Sequence, residues 1–233
     1  GTTFSARKDA WDQAMADQDR YYDSTERLYQ LQSMASKYDT AINNKGYSLK
    51  AQKQLNDLKA KELDYLKKKE KLSKDDIEMA EKRYQIAIAQ ADLENAQNNK
   101  NSMKVTRNAQ GNWTYQYVAD DEDVEEKQQA LSDAYNDLYV TAREAYQSAI
   151  QLAMEAQQEY LEKFKEINED TSLTAEQRQQ KLAELEKEYS DRISIYMNDA
   201  SVATENMMGA SATIIKGYFD ENQGELKTAT DEM

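Results

Sequence analysis

The chain has 233 residues with 30 basic and 44 acidic side chains, a formal net charge of −14, no proline, no cysteine, no histidine and six glycines. This composition removes disulfides, thiolate chemistry and sulfur metal sites. It also removes the usual general base and transition-metal ligand, and most of the points at which a helix must stop.

The mean hydropathy is −1.01. Low hydropathy with high net charge can signal disorder. Here the apolar residues recur periodically, and 16 tyrosines and two tryptophans are present. Long helices reconcile these facts, because a narrow apolar stripe needs few hydrophobic residues. The expected fold is all-α: an elongated coiled coil or antiparallel helical bundle with one small β-hairpin between two long helices. The acidic balance argues against general nucleic-acid affinity, which needs clustered Lys and Arg. No apolar run approaches the roughly 20 residues that span a bilayer, and no signal peptide is read at the start. Gly1 in place of Met fits a fragment or a processed product.

In chain order, Ser5–Asn44 reads as a polar helix with Trp11, Met15, Leu28, Leu31 and Met34 as its apolar points. Asn43-Asn44-Lys45-Gly46 is a helix stop, with Gly46 suited to a left-handed conformation. Ser48 is the candidate cap of a helix reaching about Leu72 through Leu55, Leu58, Leu63 and Leu66. Ser73-Lys74-Asp75-Asp76 is a start signal, a capping serine followed by aspartates at the positive end of a helix dipole. The helix that follows, to about Asn101, carries Ile77, Ala80, Tyr84, Ala87 and Ala91, with a second stripe of Ile86, Ala89, Leu93 and Ala96.

The strand-like passage comes next. Met103, Val105 and Arg107 alternate with polar residues, Asn108-Ala109-Gln110-Gly111 supplies a turn, and Trp113, Tyr115 and Tyr117 alternate again. This predicts a β-hairpin. A lone hairpin is marginal in water, so its aromatic face should pack on something, either its own helices or a partner.

Asp120–Asp123 opens the longest helix, to about Glu169. Val124, Gln128, Leu131, Tyr135, Leu138, Ala142, Ala145, Ala149, Leu152 and Ala156 keep a strict heptad rhythm, which drives left-handed supercoiling. The stripe then drifts to Tyr160, Phe164 and Ile167. Asp170–Leu173 breaks the helix, and Thr174-Ala175-Glu176-Gln177 forms a capping box. The last helix carries Leu182, Leu185, Tyr189, Ile193, Tyr196, Ala200, Ala203 and Met207. From Gly209 onward, glycines at 209, 217 and 224 weaken it. The expected organisation is an N-terminal helix (1–46), a helical pair (47–102), a hairpin tip (103–119), long coiled-coil helices (120–208) and a flexible C-terminal helix or tail (209–233).

No residue set points to catalysis, and no cofactor or metal is expected. Asp120, Asp121, Glu122 and Asp123 lack the spaced ligands and turn glycine of a calcium loop and read as an acidic helix start. With 44 acids, close carboxylate pairs are inevitable, and none has a cleft signal around it. Lys50–Lys74 holds nine lysines and four acids, whereas Asp120–Asp170 holds four basic and fifteen acidic residues. These stretches could face each other within one chain or between chains. The run Lys67, Lys68, Lys69 and Lys71 reads as a solvated face or as a partner for the acidic helix. The candidate interaction residues are Trp113, Tyr115 and Tyr117 on the hairpin and Leu131, Leu138, Leu152, Leu182, Leu185 and Tyr189 on the stripes. Self-association and other proteins are the expected partners.

The passage Gln97–Asp120, QNNKNSMKVTRNAQGNWTYQYVAD, with its long Ala/Gln/Glu-rich flanks, resembles coiled-coil stretches of bacteriophage tail tape-measure and related internal virion proteins. The likeness extends over about Asp75–Ile195, and NAQGNWTYQYVAD before an acidic helix start is its most specific part. The resemblance implies a long, mostly helical, multimeric protein inside the tail tube, located in the virion; the absence of catalytic residue types predicts no enzymatic activity. This chain is far shorter than such proteins and lacks their membrane-active segments. The alternative is a cytosolic coiled-coil adaptor or scaffold that binds other proteins through its helices.

Overall fold

The computed structural model describes the backbone of residues 20–231 and the side chains of residues 20–211. The expected Trp11 and Met15 lie outside the described residues. The elements are α1 (Ser24–Asn44), α2 (Leu49–Lys68), α3 (Lys74–Asn98), β1 (Ser102–Arg107), β2 (Trp113–Val118), α4 (Asp121–Glu169) and α5 (Ala175–Asp231). The protein is all-α with one two-stranded antiparallel hairpin between helices. Among the described residues, 20–138 together with 213–231 form one compact unit, and Tyr139–Ala212 form a second.

In the first unit, α1, α2 and α3 run up, down and up around a shared apolar core. Leu31, Met34, Tyr38 and Ile42 form the buried stripe of α1. They pack with Tyr47, Leu55, Leu66, Leu72, Ile77, Ala80 and Tyr84. The local signals act as their chemistry demands. Ser48 accepts a hydrogen bond from the Ala51 amide, and Gly46 sits at φ +61°. Ser73 and Asp76 close a reciprocal capping box, satisfying two free amides at once.

Three features depart from the expectation. The expected helix from Ser5 to Asn44 is not helical at Tyr21–Asp23. Tyr21 forms an antiparallel bridge with Ser73, the Tyr22 amide bonds to the Leu72 carbonyl, and Asp23 caps a new helix at Ser24. Leu28 consequently lies on the exposed side of α1. The second helix ends at Lys68 rather than Leu72. The Arg27 guanidinium, 39 to 42 residues away, donates to the carbonyls of Leu66, Lys67 and Lys69. These carbonyls are the ones a helix end leaves unpaired, so a cation there both satisfies them and complements the dipole. Leu72 is then wholly buried beyond the helix end. The lysine run is no uniform solvated face either: Lys69 turns inward and pairs with the buried Asp76.

The hairpin is held by its own contacts. Arg107 pairs with Trp113, Val105 with Tyr115 and Met103 with Tyr117. The Asn108 carboxamide oxygen accepts from the amides of Gln110 and Asn112, and Gly111 takes φ +84°. Thr106 and Thr114 share a hydrogen bond on the opposite face. Of the two supports expected for the aromatic side, its own helices do not cover it among the described residues. Five apolar side chains on it are exposed.

In the second unit, α4 and α5 fold back on each other. Tyr160 stacks on Tyr189 with ring centroids 4.6 Å apart, and Arg192 donates to Glu159 at 2.8 Å. At the turn, Asp170 accepts from the Ser172 amide and hydroxyl, and the Arg178 side chain donates to the Asp170 carbonyl. Thr174 and Gln177 bond reciprocally, each side chain accepting from the other's amide. Ala142, Ala145, Ala149 and Ala156 on α4 and Ala200, Ala203 and Ala210 on α5 are buried. The glycines at 209, 217 and 224 do not stop α5, which runs unbroken to Asp231. Its i→i−4 ladder carries the helix through single glycines, each a cost of about 1 kcal/mol.

Candidate interaction surfaces

The residues singled out from the sequence fall into two sets. Trp113, Tyr115 and Tyr117 are consecutive same-face positions of β2 and are 61, 67 and 65% exposed. Successive side chains of one strand face lie about 6.8 Å apart, at roughly 3.4 Å per residue. The opposite strand adds Met103 and Val105 to the same face. Arg107 completes it: its guanidinium lies 5.6 Å from the Trp113 ring and donates to the Gly111 carbonyl. This is an ordered apolar patch with one cation at its tip.

The helical set is placed differently. Leu138 and Leu185 are buried, while Leu131, Leu152, Leu182 and Tyr189 are half-buried. The heptad stripe of α4 is closed only from Leu138 onward. Val124, Leu131 and Tyr135 are half-buried and Gln128 is exposed. Beside the alanine seam, α4 carries a second row, of which only Phe164 is read from the sequence, as part of the stripe. Tyr146, Met154, Leu161 and Phe164 are exposed, with Ile150 half-buried between them. Their spacings of four, four and seven, then three, were legible as a further helical face.

The first unit holds both largely buried and exposed ion pairs. Glu62 is 8% exposed and binds Arg83 through two parallel bonds of 2.8 and 2.7 Å. Burial works against the Arg83 charge, but the Glu62 contact outweighs it and raises the pKa. Tyr47 donates to Asp92, which Lys45 also contacts, and burial with this bond pushes the Tyr47 phenol up. Lys37 pairs with Glu81, and Lys59 with Asp39.

A cleft of about 600 Å³ opens between α1, α3 and the first part of α4. Its floor holds Tyr38 and Tyr84, stacked at 3.6 Å between centroids, with Ile88 and Ala89. The Tyr38 hydroxyl donates to the Ala80 carbonyl. The Tyr84 hydroxyl is buried without a hydrogen-bond partner among the described residues. Such a group costs roughly 1–3 kcal/mol, and burial raises its pKa to about 12. Asp133 and Asp137 of α4 line the opposite wall, and Gln90 of α3 donates to Tyr135 beside them.

Among the described residues, no helix is long and apolar enough to cross a membrane. Also among the described residues, no three acidic side chains are grouped to hold a metal ion. Neither family models, curated proteins nor solved structures give a match to the chain.

Proposed function

We propose that the chain is a structural protein that assembles with other copies or other proteins, with the hairpin as its docking element. The observation that carries this reading is the exposed row of Trp113, Tyr115 and Tyr117. Aromatic residues are enriched at the centres of protein interfaces. Contiguous exposed apolar patches on a folded surface mark interaction sites more often than chance. The likeness of Gln97–Asp120 to tape-measure segments extends the reading to a component of a phage tail or particle interior.

A second reading, a cytosolic adaptor or scaffold, is favoured by the second unit. There the stripes of α4 and α5 meet within one chain, through the Tyr160–Tyr189 stack and the Glu159–Arg192 pair. A seam satisfied internally needs no partner helix for burial.

Light scattering tests the self-assembly part of the first reading. The assembly reading expects masses at multiples of 26.9 kDa that rise with concentration. Substituting Trp113, Tyr115 and Tyr117 together by serine should return the chain to monomer mass without lowering its melting temperature. A wild-type chain that stays monomeric at all concentrations would refute self-assembly and leave the adaptor reading, to be followed by pull-down with the same triple variant.

A further inference from the structure

We infer, on the strength of the docking role proposed for the hairpin, that two copies of this chain join through the outer edge of β2. The strands run antiparallel about a two-fold axis at Tyr115 and make one four-stranded sheet. The Asn108 amide donates to the Asn112 carbonyl at 2.9 Å, next to the first strand pair, Arg107–Trp113. Bonded and non-bonded pairs alternate along an antiparallel ladder. Thr106–Thr114 and Lys104–Gln116 are therefore bonded pairs, and the backbone N–H and C=O groups of Trp113, Tyr115 and Tyr117 point away from β1. Among the described residues the sheet has two strands, so no other strand pairs with this edge. Independent stability takes three or more strands with an apolar face, or a helix packed on the sheet. The exposed aromatic face has no such helix, and no described element of the chain supplies the missing strands.

The pattern of β2 is self-complementary, as a two-fold contact requires. With Tyr115 opposite the second copy's Tyr115, Trp113 faces Tyr117 and Thr114 faces Gln116. Aromatic meets aromatic on one face, and polar meets polar on the other. Charge selects this edge over the other one. From Gln97 to Ala119 the chain carries Lys100, Lys104 and Arg107 and no acid. β1 holds two of these cations and β2 none. Joining through β1 would crowd Lys104 and Arg107 of both copies onto adjacent strands. Joining through β2 gives the order β1–β2–β2–β1. The cations then stand three strand spacings apart, about 14 Å at roughly 4.8 Å each, which exceeds the Debye length of about 8 Å at physiological salt. Lys104 and Arg107 also occupy both outer strands, where charge blocks further strand addition, so growth stops at two copies. An unrelated strand finds the same free amides; a second β2 also answers all three aromatic positions.

The test uses the full chain. By light scattering its mass should rise with concentration to twice 26.9 kDa and no higher. Tyr115→Lys sets like charges opposite each other at the axis and should raise the dissociation constant at least tenfold. Tyr115→Glu should do the same. Mixed in equal amounts, the two variants should dimerise again, because only the mixture sets opposite charges face to face. A second arm reads the edge directly. The chain has no cysteine, and positions 114 and 116 of the two copies form a non-bonded pair with Cα atoms about 4.5 Å apart, within disulfide reach. Thr114→Cys mixed with Gln116→Cys under oxidised glutathione should cross-link at least fivefold faster than either variant alone. Two hairpins stacked face to face would turn both positions outward and show no such preference. The cross-link decides the matter if the Tyr115 variants lose the hairpin. A parent chain that stays monomeric overturns the inference and leaves docking to other proteins in place. A dimer abolished by the serine variant of Trp113, Tyr115 and Tyr117, but without the cross-linking preference, overturns edge pairing and leaves the hairpin's docking role standing.

Discussion

Replacing Glu62 by glutamine tests whether the pair with Arg83 is a desolvated charge pair or a surface contact. Glu62 keeps a tenth of its side-chain surface exposed and Arg83 a quarter, and they meet in a two-bond fork. Breaking a buried pair by neutralising one partner strands the other charge, at roughly 3–5 kcal/mol. The partial exposure of Arg83 places the cost near the lower end, about 3 kcal/mol. That is a large part of the 5–15 kcal/mol typical of a domain. With a urea m-value of about 2 kcal/mol/M, the midpoint of the first unit should fall by about 1.5 M. The double variant Glu62→Leu/Arg83→Met removes both charges and keeps apolar volume, so it should recover to within about 1 kcal/mol of the parent. Urea titration followed by circular dichroism reads all three chains. A cost below about 1 kcal/mol for Glu62→Gln would show that water screens the pair as it does a surface one. Equal losses in single and double variants would assign the effect to packing and not to charge.

Two further outcomes follow. Leu138→Asp places a charge at a buried position of the heptad stripe and should destabilise by several kcal/mol, as unpaired buried charges do; an unmoved unfolding midpoint would refute the seam. Burial raises the phenol pKa values of Tyr38, Tyr47 and Tyr84, the last to about 12. Their unfolded value is about 10, so below pH 10 their contribution is fully present. It is lost as pH rises from about 10, where the unfolded chain releases the protons first. Each phenol contributes up to about 1.4 kcal/mol per pH unit there. Absorbance at 295 nm should show these rings ionising together with loss of helix; ionisation of all the tyrosines near pH 10 with the helices intact would contradict their burial.

Much of the secondary structure is legible because its causes are local. Ser48, Ser73 and the Thr174–Gln177 box are cap chemistry within four residues, and Gly46 and Gly111 take the positive φ that only a residue without Cβ adopts freely. The hairpin register follows from the turn and the alternation of Met103 to Tyr117. The break at Tyr21–Asp23 was not legible, because its cause is the Leu72–Ser73 backbone some fifty residues away. The inward turn of Lys69 likewise depends on Asp76 sitting buried beyond the end of α2. The cleft was invisible for the same reason: its walls come from α1, α3 and α4, which lie far apart in the chain.

The sequence by itself determined the helix and strand boundaries that rest on caps and turns, because capping, periodicity and turn chemistry act between residues a few positions apart. It also determined which faces are apolar. Only the tertiary structure decided which of those faces are covered. The stripe of α1 closes against α2 and α3, the alanine seam of α4 closes within the second unit, and the hairpin row of Trp113, Tyr115 and Tyr117 stays open. Burial is a property of pairs of surfaces, and a periodic pattern on one element carries no record of which other element reaches it.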